Sequence, residues 1–144
     1  MAAVGLDVAA DQYPYIAGST SLAAIVRKVR PDLVFNLGAQ SHVRVSFDLP
    51  LVTADVVYLG CVRLLEAIRA ADRPVRFYQA SSSEMFGAEG RGEPRDELSP
   101  FAPRSPYAVG KLFGEQCGRW FADRYGMSVL CIRLGAVLDT DRPK

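Results

Sequence analysis

Three short apolar runs punctuate this chain: Leu33–Leu37, Val75–Ser81 and Ser128–Leu134. A helix-length segment separates each from the next. β-Branched and aromatic residues fill the runs, as strands require. The alternation of helix and strand implies parallel strands joined by crossovers. This alternation predicts an α/β chain, a parallel sheet flanked by helices. Leu33–Leu37 is apolar apart from Asn36, which predicts a buried strand.

The helices have readable ends. Ser19-Thr20-Ser21 supplies caps for a helix through about Val29, with Leu22, Ile25, Val26 and Val29 on one face. Leu51 to Ala71 reads as one long helix with an apolar stripe of Val56, Leu59, Leu64, Leu65 and Ile68. Pro106 to Tyr125 is capped by Ser105, begins with a first-turn proline and stops at Gly126. Leu112, Trp120 and Phe121 supply its apolar side.

Chemistry concentrates at the carboxyl ends of the strands, where open parallel sheets bind ligands. The second strand runs into Ser81-Ser82-Ser83-Glu84, and the first into Gly38-Ala39-Gln40-Ser41. Small residues at such a tip permit close backbone approach, although an ordinary strand-to-helix turn has the same composition. Tyr107 and Lys111, four apart, share one helix face. An ammonium beside a phenol is expected to lower the tyrosine pKa, giving an acid/base near neutral pH. Spacing alone favours a solvated helix face at Tyr107 and Lys111, and Glu84 alone reads equally as a surface carboxylate.

Taken together, three runs resemble the extended short-chain dehydrogenase/reductase family, and within it the GDP-mannose 4,6-dehydratases. They are 36–43 with Ser46-Phe47-Asp48, Phe77-Tyr78-Gln79-Ala80-Ser81-Ser82-Ser83-Glu84, and Pro100-Phe101 with Pro103-Arg104-Ser105-Pro106-Tyr107. The resemblance covers roughly Ser19 to Tyr125. It implies a partial Rossmann-like, NAD(P)-binding domain over 1–144. It further implies NADP as cofactor, with NAD the alternative, and a nucleotide-sugar substrate. Tyr107 is the implied base for a sugar hydroxyl, and Lys111 tunes it and binds the nicotinamide ribose. Ser82 stands for the family's usual threonine, and Glu84 is the implied C5 base. Leu37, Gly38, Ala39, Gln40 and Ser41 are implied cofactor contacts, with Tyr107 and Lys111. A cofactor-contacting tyrosine of the family falls at Val52 here.

The family's Gly-rich phosphate turn is not found in the first residues, so the chain is expected to begin after the first Gly-rich βαβ unit and to stop before the substrate domain. The family's Asn-His pair falls at Ala136-Val137, and Arg142 is a loose match to a substrate-side arginine. This tail resembles sugar epimerases and uronate-type dehydrogenases more closely, which keeps that activity open. A non-catalytic, partner-dependent module is the alternative of another class. The family's pairing through helices such as that from Leu51 to Ala71 implies a homo-oligomer.

A formal net charge of +1 argues against nucleic acid as a partner, and no apolar run approaches a membrane span. Met1 to Ala10 lacks the pattern of a signal peptide, so a cytoplasmic setting is expected. Cys61, Cys117 and Cys131 are too far apart in sequence for a zinc motif and read as buried thiols, so no metal is expected. His42, the only histidine, lacks a Gly-x-Ser-x-Gly elbow to serve and reads as packed or hydrogen-bonded. The segment from Ala88 to Arg104 reads as a charged loop.

Overall fold

The computed structural model describes residues 22–71, 73–87, 95, 96 and 98–135. The elements in order are α1 (Leu22–Val29), β1 (Leu33–Asn36), α2 (Val43–Asp48), α3, β2 (Arg76–Ser82), α4 (Pro106–Tyr125) and β3 (Ser128–Leu134). Helix α3 is continuous over 50–69 in three pieces: an α-turn (Pro50–Thr53), a π-helical segment (Ala54–Leu59) and a final α stretch (Gly60–Arg69). A 3₁₀ turn, Ser83–Phe86, follows β2. Residues 19–21, 136, 137 and 142, on which the first helix cap and the tail comparison rest, lie outside the described residues, as do residues 88–94 and 97 of the charged loop.

The strands form one sheet in the order β1-β2-β3, every pair parallel. The crossover prediction holds, and the ends of α4 and β3 fall where the sequence places them. Ser105 Oγ accepts from the Ala108 amide at 3.0 Å, and Gly126 closes the helix at φ 65°. At that angle a side chain would be strained, which is why glycine ends the helix.

The core lies on one face of the sheet. Val34, Val75 and Phe77 pack there against Cys61, Leu64, Leu65 and Ile68 of α3 and Phe121 of α4. On the other face Phe35, Tyr78 and Leu130 stand in register across the three strands, and Phe35 is 46% exposed. The expectation that the first strand is buried is therefore corrected: its one-residue alternation sends Val34 inward and Phe35 outward.

The α3 stripe also needs correction. Leu64, Leu65 and Ile68 are buried, but Leu59 is exposed and Val57 lies inside. The π segment adds a residue to the turn and so rotates the buried face. Val29 and Trp120 are exposed rather than packed inward, although the Trp120 ring stands edge-on to Phe121 and Tyr125. Cys61 alone of the three free thiols is fully buried, and burial pushes it up to about 12. The His42 side chain is exposed and makes no cap bond to α2.

The π segment brings Tyr58 against Gly110 of α4. A Cβ at Gly110 would lie 2.3 Å from Tyr58 Cε1 and 2.8 Å from Val57 Cγ1. The ring has little room to yield: it stacks on Phe113, and its hydroxyl donates to the Pro106 carbonyl at 3.2 Å. Gly110→Ala is expected to cost about 1–2 kcal/mol, overpacking outweighing the helix-propensity gain of alanine. A lower urea midpoint at unchanged m-value would show it.

Candidate active site

Strand β2 carries the site to its carboxyl end. Its last residues, Ala80, Ser81 and Ser82, are all buried against α4. The Ser82 hydroxyl accepts from the Glu84 amide at 3.2 Å, capping the 3₁₀ turn that sets Glu84 at the sheet edge. Ser82 and Glu84 both act on the Tyr107 phenol, Ser82 pulling its pKa down and the charge of Glu84 pushing it up. Ser82, Glu84, Tyr107 and Lys111 thus form one cluster.

Lys111 is only 3% exposed, and its Nζ donates to the Ala80 carbonyl at 2.9 Å. It lies 5.7 Å from the centroid of the Tyr107 ring. The expected lowering of the Tyr107 pKa is not what this arrangement produces. Half-burial holds the phenol above its ordinary value, the Ser82 hydroxyl pulls it down, and Glu84 pushes it up again. Lys111 does not offset this because its ammonium is tied to a backbone carbonyl, and burial holds it below its own usual value.

The first-strand tip is wired to Lys111 through a buried amide. The Gly38 amide donates to Asn36 Oδ1 at 3.3 Å, and Asn36 Nδ2 donates to Gln79 Oε1 at 2.8 Å. Gln79 Nε2 donates at 3.1 Å to the same Ala80 carbonyl that holds Lys111. Leu37 and Ser41 are exposed around this tip, Gly38, Ala39 and Gln40 are half-buried, and Gln40 reaches back to the His42 carbonyl. The tip and the Lys111 end of α4 therefore border one strand-end region. Val52, at the position of the family's tyrosine, is exposed at 40%.

Beside this cluster opens a cleft of about 860 Å³, lined by Glu84, Ser83, Phe86, Arg104, Ser105 and Arg133, among others. Glu84 is the one predicted site residue in its wall; Tyr107, Lys111, Ser82 and the 37–41 tip are not. Arg133 lies over the stacked Phe86 and Phe101 rings, 5.4 and 4.9 Å from their centroids. Arg95 and Asp96 also reach the cleft, so this part of the charged loop borders the site.

Arg133 is bound by Glu115, a fully buried carboxylate that the sequence reading passed over. Burial alone would raise the Glu115 pKa. Hydrogen bonds from Arg133 and Ser81 and the charges of Arg133 and Arg119 more than reverse this, holding it below the usual carboxylate range. One signal was available: Glu115 continues the four-residue spacing of Tyr107 and Lys111 along the same helix face.

A parallel sheet whose middle strand ends in serines, faced by a helical Tyr-x-x-x-Lys pair, defines an extended short-chain dehydrogenase/reductase domain of the epimerase/dehydratase type. The sequence model of the GDP-mannose 4,6 dehydratase family matches residues 13–137, and the chain belongs to that family. A GDP-mannose 4,6-dehydratase of Vibrio cholerae is 47% identical over 117 residues, covering 80% of this chain and 31% of the relative. The structure of RMD from Pseudomonas aeruginosa complexed with NADPH is 32% identical at a TM-score of 0.68, covering 73% of this chain and 36% of that one. UDP-glucose 4-epimerase from Brucella ovis in complex with NAD is 25% identical at a TM-score of 0.73, covering 90% of this chain and 37% of that one. The chain thus spans about a third of the length of the relatives it matches.

Proposed function

We propose that this chain carries the proton-transfer centre of a nucleotide-sugar 4,6-dehydratase acting on GDP-mannose. The observation that carries the proposal is the placement of Glu84. Tyrosine, lysine and serine suffice for oxidation or epimerisation at a sugar hydroxyl, whereas elimination of water also needs a base for the C5 proton. Glu84 stands at the strand tip in the wall of the cleft, close enough to Tyr107 to act on its phenol.

In this reading the substrate C4 oxygen lies between Ser82 and Tyr107. Ser82 holds that oxygen by a hydrogen bond, and Tyr107 exchanges a proton with it. Half-burial holds the phenol above its ordinary value, and the Lys111 ammonium, 5.7 Å from the ring, is the positive charge that favours the phenolate able to take the C4 hydroxyl proton. Glu84 takes the C5 proton once C4 is a ketone and hands a proton to the departing C6 hydroxyl. Arg104 and Arg133 supply positive charge to the cleft wall.

The residues present fit the nicotinamide half of a dinucleotide. Gly38 leaves the first-strand tip without a side chain, and the buried Lys111 is fixed to the same strand end through Gln79 and Ala80. Leu37, Gly38, Ala39, Gln40, Ser41, Tyr107 and Lys111 would hold that half. NADP is the favoured cofactor, supported by the NADPH complex of the Pseudomonas neighbour. When bound, it supplies the hydride acceptor at C4 and the donor at C6. No helix among the described residues is long and apolar enough to cross a membrane, and three free thiols fit a reducing cytoplasm. Exposed Leu51, Val52 and Leu59 of α3 with Val109 and Phe113 of α4 fit pairing with a second copy.

The second reading, a sugar epimerase, is favoured by the likeness to UDP-glucose 4-epimerase. Mass spectrometry of GDP-mannose incubated with the chain and NADP⁺ separates the two. The dehydratase reading expects a product lighter by one water, with Glu84→Gln slowing its formation by about 10²–10⁴-fold. An isomer of unchanged mass would favour the epimerase. GDP-mannose left untouched by a chain that binds NADP⁺ would overturn the dehydratase proposal.

A further inference from the structure

Three residues of α4 hold three consecutive residues of β2. Lys111 donates to the Ala80 carbonyl at 2.9 Å, the Ser81 hydroxyl donates to Glu115 Oε2 at 3.0 Å, and Tyr107 stands near enough to Ser82 for the serine hydroxyl to pull the phenol pKa down. Their four-residue spacing puts Tyr107, Lys111 and Glu115 on one helix face, so this face meets the strand end residue by residue.

Glu115 is the deepest of the three contacts. It also accepts from Arg133 Nη2 at 2.7 Å and Arg133 Nε at 3.2 Å, and from Arg119 Nη2 at 2.9 Å. Ser81 and Arg133 are register partners across β2 and β3. One carboxylate therefore pins α4 to both strands at the rung immediately below Ser82. A helix so pinned cannot slide along its axis without breaking charge-assisted bonds, which are the strong and directional ones.

We infer that Glu115 is a positioning residue: through Ser81 and Arg133 it fixes the axial setting of α4 on the β2 tip, and with it the contact between Tyr107 and Ser82. The catalytic meaning of that contact rests on the dehydratase reading, but its geometry does not.

The test places a fluorotyrosine at position 107 and follows its ionisation by ¹⁹F NMR. The groups facing this phenol are Ser82 from β2, Glu84 from the 3₁₀ turn and Lys111 from its own helix. Two variants are compared with the native chain. Glu115→Leu with Arg133→Leu removes both buried charges and strands neither. Glu115→Asp keeps the charge and draws the carboxylate back by one methylene. The inference expects the Tyr107 pKa to rise in both by about 0.5–1 pH unit, the size of one lost hydrogen bond. Adding Ser82→Ala should then raise it no further, whereas in the native chain Ser82→Ala alone should produce the same rise. A folded variant of either kind whose Tyr107 titrates as in the native chain, with Ser82→Ala still effective, would overturn the inference. A melting temperature that falls with no change in this titration would mark Glu115 as structural only. Failure to bind NADP⁺ would leave this test intact.

Discussion

Arg133→Leu is expected to lower stability by about 3–5 kcal/mol at pH 7, the cost of stripping one partner from a buried ion pair. The carboxylate of Glu115 would then remain fully buried with only the Ser81 hydroxyl and Arg119, whose own side chain is 57% exposed. The pH dependence should change sign with the substitution. In the native chain Glu115 has a folded pKa below its ordinary 4.5. Its contribution is therefore complete above that value and lost as acid carries the pH down through the folded pKa. Without Arg133, burial is no longer outweighed and the folded pKa rises above the unfolded one. The variant should accordingly recover stability as the pH falls from 7 towards 5, where the native chain gains none. Urea midpoints across that range measure this, and parallel curves for the two proteins would contradict it.

Gly87→Ala is expected to cost about 3 kcal/mol or more, with a fall in Tm of roughly 10 °C. Gly87 ends the 3₁₀ turn at φ 67° and ψ −165°, a region open essentially to glycine alone. A Cβ there would lie 2.2 Å from the Ala102 carbonyl oxygen, a backbone atom that cannot swing aside as a side chain would. That backbone is itself pinned, since the Ala102 amide donates to the Met85 carbonyl at 3.0 Å. Relief of the clash would part residues 101–104 from the turn carrying Glu84, so the proposed dehydratase activity should fall with stability. A melting curve that matches the native one would contradict this.

The parts of the fold legible in the sequence are those with local punctuation. Ser105-Pro106 and Gly126 mark both ends of α4 because capping and left-handed termination are decided within a few residues. The parallel sheet was legible because strands alternating with helix-length crossovers pair in parallel. The strand-end placement of the serine run put Ser82 beside Glu84, and the family resemblance joined Tyr107 to them.

Other features were decided by tertiary context. The π segment of α3 has no sequence signature; it brings Tyr58 against Gly110, fifty-two residues on. Glu115 was not legible as a buried carboxylate because its partner, Arg133, belongs to a later strand whose register the sequence does not give. The Tyr107 pKa was misjudged for the same reason: four-residue spacing brings Lys111 near the ring, but the Ala80 carbonyl decides where the ammonium points. Burial of β1 was overestimated because composition does not say which face the helices cover.

The central claim is that the strand ends around Lys111 form the nicotinamide end of a cofactor site. Calorimetric titration of NADP⁺ into the 144-residue chain, beside Lys111→Ala, tests it most directly. The account predicts binding near micromolar, about −8 kcal/mol, abolished by the substitution. A soluble, cooperatively folded chain that binds no NADP⁺, or binds it equally well without Lys111, would contradict it.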